Sequence, residues 1–466
     1  MTFKLAAVLA AQFVFIGLLG ASAAETGAPA PVVRVGSTEK VCQLTGDTDW
    51  ETGQPTAGRT FSNFGLDATD LGYPVEHAGK LILLFGDSWP PGHPQGAIRE
   101  VPPDDAVGVV VRRDPPTNDG KCLEMQVQQK PGAAKMFAPA TIIGSPPVKQ
   151  GFFNVPSGGV SDSDSLYAFF WTNHCANPNP LRPSPDDPLA RPEASRTCPE
   201  NDNRNSVGRG VMARSEDDGR TFSHVVPMPT GFAYSTAVDP RLAGDLPEDQ
   251  RRGIFIFGVP RYRAGVPYLA EAPSETLGNP ATWRFITGRA PDGQPKWVPH
   301  EEWMRGAAVP DARRPPGWKP PGEPEIFVPA TNAGHCIGEF SITWNRPLGM
   351  WLMLYNCPRE ISARIAPAPW GPWSAPTEIL GPGDGVACRL VMTPEGCGNR
   401  RDFWPNKHTN GKFVAGGFYA PYVLNRYTGA APGNGPGRRS TIYWVVSSWN
   451  PYEVSVMRTT LQSDAF

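Results

Sequence analysis

Five short apolar runs, at residues 81–85, 166–171, 254–257, 351–355 and 442–446, constrain this chain more than any other feature. Each is continuous rather than alternating, which marks a strand buried on both faces. Their starts fall roughly 85 to 97 residues apart, and a near-regular return of one element is the sign of a repeat architecture. The spacing is far longer than a WD40 unit, so loops must be inserted. Five runs imply five units of about four strands each. The expected fold is therefore all-β, a five-bladed β-propeller with long disulfide-stapled loops. Composition agrees: 50 Gly and 54 Pro suit many turns and rigid loops, while 14 Trp and 22 Phe set the chain apart from disordered sequences. Ser215-Glu-Asp217-Asp-Gly219-Arg-Thr221-Phe222 fits the Asp-box pattern S-x-D-x-G-x-T-aromatic, which shapes a hairpin turn in propeller blades. Asp217 is thereby structural rather than catalytic.

The N-terminus reads as a secretory signal. Lys4 is a thin basic region, residues 5–20 are apolar, and Ala21-Ser22-Ala23 is a cleavage site. Residues 1–24 are assigned to the signal and 25–466 to a single propeller domain, secreted to the exterior or periplasm. No second segment is long and apolar enough to cross a bilayer. The net charge of −2 leaves no electrostatic footprint for nucleic acid or an anionic membrane. Eight cysteines in an exported chain suggest disulfides. Nearest neighbours suggest Cys175–Cys198, Cys336–Cys357 and Cys388–Cys397, leaving Cys42–Cys122, although sequence does not fix the pairing. Insertions at 172–205, 286–333 and 380–411 are read as ordered walls of a cleft.

The stretch from Asp70 to Trp89 reads as a hairpin with Ala78-Gly79 at its turn. If His77 and Lys80 close that turn, Asp70 faces Asp87 across the ladder. Like charges placed opposite one another destabilise a sheet. Glycosidic cleavage is one reason to tolerate them, because it needs an acid and a base or nucleophile flanking the bond. Pro74 could shift this register, and one Asp could instead cap a turn. In the fourth unit the same count sets Glu339 opposite Asn356, with Glu339 in the hairpin position of Asp70. In the fifth, Ser448-Trp449 falls where Ser88-Trp89 fell. In a propeller such positions converge on one channel mouth, so Glu339, Trp89, Tyr73, Asn356 and Trp449 are expected to line the substrate pocket. Shared blade-building packing is the plainer account of Trp344, Trp351 and Tyr355. It is weaker for Glu339, which an apolar core would not welcome. No P-loop, G-x-S-x-G or H-E-x-x-H occurs, and neither His77 nor His335 has metal-ligand spacing. No cofactor is called for, though a structural Ca²⁺ in the channel is compatible with the residues.

Several segments together resemble the "domain of unknown function 4185" family. They are Thr69-Asp70-Leu-Gly-Tyr-Pro, Phe85-Gly86-Asp87-Ser88, Gly338-Glu339-Phe-Ser-Ile-Thr-Trp, Trp351-Leu-Met-Leu-Tyr-Asn, Ala366-Pro-Ala-Pro-Trp-Gly-Pro-Trp and Ser448-Trp-Asn-Pro-Tyr. The resemblance spans most of residues 60–460. It implies a five-bladed propeller glycoside hydrolase of the endo-D-arabinanase kind, cutting α-D-arabinofuranan of mycobacterial arabinogalactan and lipoarabinomannan. The family's paired Asp residues fall on Asp70 and Asp87. A polysaccharide is then the partner, and the chain is expected to act as a monomer. Inversion of the anomer is expected by analogy with other five-bladed glycosidases. The alternatives are a non-catalytic carbohydrate-binding propeller and a sialidase-like glycosidase, the latter favoured only by the Asp box.

Overall fold

The structure is a computed structural model. It describes residues 30–89, 104–111, 114–116, 122–129, 131–132, 141–142, 154–162, 164–172, 209–229, 231–260, 263, 265, 267–307, 336–357, 360–391, 416–433 and 437–464. Five antiparallel sheets form the five blades of a β-propeller. Blade 1 runs Ala68–His77, Lys80–Trp89, Asp104–Val110 and Met125–Val127 from channel to rim. Blade 2 runs Asn154–Asp162, Ser165–Thr172, Arg209–Ser215 and Thr221–Pro227, with a short parallel strand Thr141–Ile142 outside. Blade 3 has five strands, Tyr234–Val238, Ile254–Val259, Tyr268–Ala272, Arg284–Arg289 and Pro295–Pro299. Blade 4 runs Phe340–Asn345, Met350–Cys357, Glu360–Ala366 and Thr377–Leu380.

Blade 5 closes the ring. Its inner strands are Gly417–Val423, Arg438–Trp449 and Glu453–Ser463, and its outermost strand is the N-terminal Val33–Gln43, antiparallel to Glu453–Ser463. Cys42 at the end of that strand is bonded to Cys122 of blade 1, so a disulfide spans the seam between the last blade and the first.

All five apolar runs are second strands of their blades, shielded on both faces by neighbouring blades and buried except at the partly exposed Tyr167. The first strands ring the channel, where serine side chains stitch them together. Ser341 Oγ donates to Pro421 O (2.8 Å) and accepts from Val423 N (3.1 Å), linking blades 4 and 5. Ser157 Oγ donates to Ser235 O (3.0 Å) between blades 2 and 3. A Cβ on Gly158 would fall 2.4 Å from that same Ser235 carbonyl, so only glycine permits this approach. Pro74 lacks an N–H, but it sits on the channel-side edge strand, where no ladder bond is lost. Ala78 and Gly79 both take positive φ (47° and 76°), the conformation of a tight two-residue hairpin turn.

The Asp box forms as expected between the third and fourth strands of blade 2. Asp217 accepts from Thr221 N (2.9 Å) and Thr221 Oγ1 (2.7 Å), while Ser215 Oγ accepts from Gly219 N (2.9 Å). Partial burial would raise the Asp217 pKa, but the bonds from Thr221 and Ser215 together outweigh it and hold the carboxyl low.

Cys336 is paired with Cys357. Cys388 is disulfide-bonded, while Cys175, Cys198 and Cys397 lie outside the described residues, as does the signal segment. The insertion expected at 286–333 is partly blade. Residues 295–299 form the fifth strand of blade 3, and the helix His300–Ala307 seats Trp303 against Phe285 with ring centroids 5.1 Å apart. Among the described residues no helix is long and apolar enough to cross a membrane.

Candidate active site

The hairpin register holds from His77–Lys80 to Tyr73–Leu84 and then slips. Leu71 pairs with Phe85, and Asp70 with Gly86 rather than Asp87. The extra residue is Gly72. It and Leu71 both have positive φ (77° and 64°), which makes a bulge that even counting does not foresee. A second slip sets Ala68 against Trp89 and leaves Asp87 in the widened part of the strand, with φ of 40°. Blade 5 holds the first bulge in place, since Leu71 N donates to Ser447 Oγ (2.7 Å) and Ser447 Oγ donates to Leu71 O (3.3 Å).

The two carboxyls nevertheless meet, at a third residue. The Tyr452 hydroxyl lies 2.7 Å from Asp70 Oδ2 and 3.3 Å from Asp87 Oδ2. Tyr419 donates a second bond to Asp70 Oδ2 (2.7 Å). Asp70 is 6 % exposed, and its Oδ1 is buried with no hydrogen-bond partner. Asp87 is only half-buried. Burial pushes both pKa values up, to about 6 for Asp70 and about 8 for Asp87. For Asp70 the two tyrosine bonds counter the burial, whereas Asp87 also carries repulsion from Asp70. One carboxylate and one carboxylic acid near neutral pH are what acid–base chemistry needs.

Glu339 precedes the inner strand of blade 4. The expected pairing holds there, as Asn356 N donates to Glu339 O (3.1 Å). Its carboxylate is fully buried and gripped by Arg263, whose Nε and Nη2 donate to Oε1 at 3.0 and 2.7 Å. The Arg263 side chain is 44 % exposed, whereas that of Glu339 is closed off from the mouth. The Arg263 guanidinium lies over the Tyr419 ring, 4.8 Å from its centroid. Asn356 Oδ1 accepts from Ala420 N (3.3 Å) and so fixes the strand that carries Tyr419.

The remaining rim candidates divide. Trp449 is half-buried and stands beside Gly417 on this mouth. Trp89 is 3 % exposed and acts as packing. Tyr73 lies deeper in the channel. Its ring meets Tyr422 edge-on at 4.9 Å, its hydroxyl bonds Thr236, and burial pushes its pKa to about 12. It faces the cavity of about 300 Å³ at the opposite mouth, lined also by Glu76, Ser161, Asp239 and Trp344.

Sequence reasoning missed Arg263, Tyr419 and Tyr452 as site residues. Tyr452 had a signal, since it closes the Ser448-Trp-Asn-Pro-Tyr segment. Arg263 and Tyr419 had none, because their partners lie 76 and 349 residues away. Among the described residues no group of His, Cys, Asp and Glu is arranged to hold a metal ion.

No curated protein matches this sequence. Among solved structures, the chain is similar to a putative hydrolase from Bacteroides ovatus, with 10% identity, 86% of this chain and 87% of that one covered, and a TM-score of 0.45. It is also similar to a family 117 glycoside hydrolase from Zobellia galactanivorans, with 7% identity, 93% and 91% covered, and a TM-score of 0.36. A third is the RS223 β-xylosidase, with 11% identity, 86% and 92% covered, and a TM-score of 0.34. At such distances the likeness says nothing about chemistry. The sequence profile of DUF4185, a domain of unknown function, matches residues 205–458. That span includes Arg263, Glu339, Tyr419 and Tyr452, while Asp70 and Asp87 precede it. It covers more than half of the chain, and the chain belongs to the DUF4185 family.

Proposed function

We propose that this chain is an exported glycoside hydrolase cutting α-D-arabinofuranosyl linkages in cell-wall arabinan. Asp87 is the acid and Asp70 the partner carboxylate. The observation that carries this reading is the sharing of one tyrosine hydroxyl by two carboxyls at a channel mouth, one buried and one half-exposed. A binding module has no use for such a pair, whose mutual repulsion costs stability. Asp87, still protonated at neutral pH, gives its proton to the leaving oxygen. Asp70, already ionised, serves as nucleophile or base. Arg263 and Trp449 offer a cation and an aromatic face to sugar hydroxyls and rings. The furanose preference rests on the family resemblance. Residues 25–466 act as one secreted domain after loss of residues 1–24.

The test is incubation of the purified mature chain with D-arabinan, L-arabinan and sialosides, with products separated by chromatography. Oligosaccharides from D-arabinan alone are expected. Release of sialic acid, or no cleavage of any of the three, contradicts the proposal.

A further inference from the structure

A phenol has one proton, yet the Tyr452 hydroxyl lies within hydrogen-bond reach of two carboxyl oxygens. It cannot donate fully to both. The surroundings of Asp70 show which way the chain of bonds runs. Asp70 Oδ2 already faces the Tyr419 and Tyr452 hydroxyls, and a proton placed there would displace one of these donors. A proton on Asp70 Oδ1 would be buried with nothing to accept it, because that atom has no partner. The proton of the pair therefore belongs on Asp87.

We propose that Tyr452 is the positioning residue that assigns acid and base, accepting a hydrogen bond from protonated Asp87 while donating its own proton to Asp70 Oδ2. The assignment rests on the reading of Asp70 and Asp87 as the catalytic pair. In the resting site the order is Asp87 O–H to Tyr452 O, then Tyr452 O–H to Asp70 Oδ2. When substrate enters, the Asp87 proton turns from the tyrosine to the glycosidic oxygen, and no proton leaves Tyr452. Tyr419, whose hydroxyl bonds Asp70 Oδ2, steadies the carboxylate. Arg263 and Glu339 are the other charged groups acting on the pair. On Asp70 they act in opposite directions, Glu339 raising and Arg263 lowering its pKa, while on Asp87 Arg263 lowers it. Burial and the two nearby carboxyls hold the phenol pKa of Tyr452 well above its ordinary value, so the tyrosine stays neutral throughout.

The two tyrosines give distinguishable outcomes. In Tyr452→Phe, Asp70 loses a donor to its ionised form and Asp87 loses an acceptor for its proton. The two titration steps should then approach each other, each moving by about one pH unit. In Tyr419→Phe only the Asp70 step should rise. The measurement is a pH titration by NMR of protein carrying ¹³C-carboxyl aspartate, as wild type and both variants. In parallel, Tyr452→Phe should lose about 10- to 100-fold in kcat on D-arabinan with KM little changed. Steps that stay in place, or that rise together in Tyr452→Phe, overturn the proposal. Should that variant not fold, 3-fluorotyrosine incorporated at Tyr452 keeps the ring and strengthens the donor. The Asp70 step should then fall, and an unmoved step overturns the proposal. The titration needs no substrate, so a failure to cleave arabinan would sink the functional reading while leaving this test of the bridge intact.

Discussion

The hydroxyl of Tyr452 lies 2.7 Å from Oδ2 of Asp70, although 382 residues separate the two in the chain. Asp70 belongs to blade 1, and Tyr452 to the turn between two strands of blade 5. The candidate site is therefore built across the seam of the ring. Whatever holds the seam holds the site. That task falls to the N-terminal strand and to the Cys42–Cys122 disulfide.

Loss of that disulfide should loosen the seam. The bond spans 80 residues of sequence. In the chain-entropy account a loop of that size contributes about 4.5 kcal/mol, and the usual range is about 2–4 kcal/mol. Replacing Cys42 and Cys122 together by serine should lower stability by an amount in that range, read by urea unfolding. Activity should be lost at a lower temperature than in the wild type. An unchanged unfolding midpoint would show that the strand pairing alone closes the ring.

Gly86 faces Asp70 across the bulged hairpin. A Cβ there would stand 2.6 Å from Leu71 Cδ1 and 3.0 Å from Asp70 Oδ1. Gly86→Ala should push the Asp70 carboxyl away from its two tyrosines and reduce kcat by about 100-fold or more, since small displacements of reacting groups are costly. Kinetics on D-arabinan check this, with circular dichroism confirming the fold. Wild-type turnover would mean that the Asp70 position is not critical.

Glu453 adjoins Tyr452 and is 8 % exposed. Burial pushes its pKa to about 8, helped by Asp67, Asp47 and Asp49, while a 2.6 Å bond from Thr45 Oγ1 pulls it partly back. A folded-state value raised from the ordinary 4.5 stabilises fully below about 4.5, and that contribution is lost as pH rises towards 8. Glu453→Gln should remove this loss. Its stability relative to the wild type should increase between pH 5 and pH 9 by on the order of 2–4 kcal/mol. Denaturation at both pH values measures it, and parallel changes in the two proteins would contradict it.

The sequence made the fold legible where the signal was local. The runs at residues 81–85 and 351–355 are continuous because their strands are covered on both faces, and that burial is written in consecutive residues. The Asp box was legible because the Ser215 and Asp217 side chains bond within their own turn, to one another, to Gly219 and to Thr221. The register of Asp70 was not, because a bulge at Leu71-Gly72 adds a residue without altering the hydrophobic pattern. Glu339 was found by its hairpin position, but its partner Arg263 was not. An ion pair between blades leaves no spacing in the chain.

With Asp70 and Asp87 as the catalytic pair, the shared hydroxyl yields a prediction about stereochemistry. Oδ2 of Asp70 and of Asp87 both lie within reach of one oxygen, so they stand within about 6 Å of each other. Retaining glycosidases hold their carboxyls about 5–5.5 Å apart, and inverting ones about 6.5–9.5 Å. A bound of about 6 Å on the Oδ2–Oδ2 distance lies nearer the retaining spacing than the inverting one, so we predict retention in place of the inversion expected by analogy. The first-formed reducing sugar should keep the anomeric configuration of the substrate, with Asp70 as nucleophile. Proton NMR during early hydrolysis reads this directly, and an inverted first product would contradict it.

The pairing of Asp70 with Asp87 is tested most directly by the variants Asp70→Asn and Asp87→Asn, each shown to fold and then assayed on D-arabinan. Both keep the shape of the side chain and remove its ability to ionise. Each should lose about 1,000-fold or more in kcat while still binding the polysaccharide. Near-normal turnover in either variant would contradict the account and remove that residue from the chemistry.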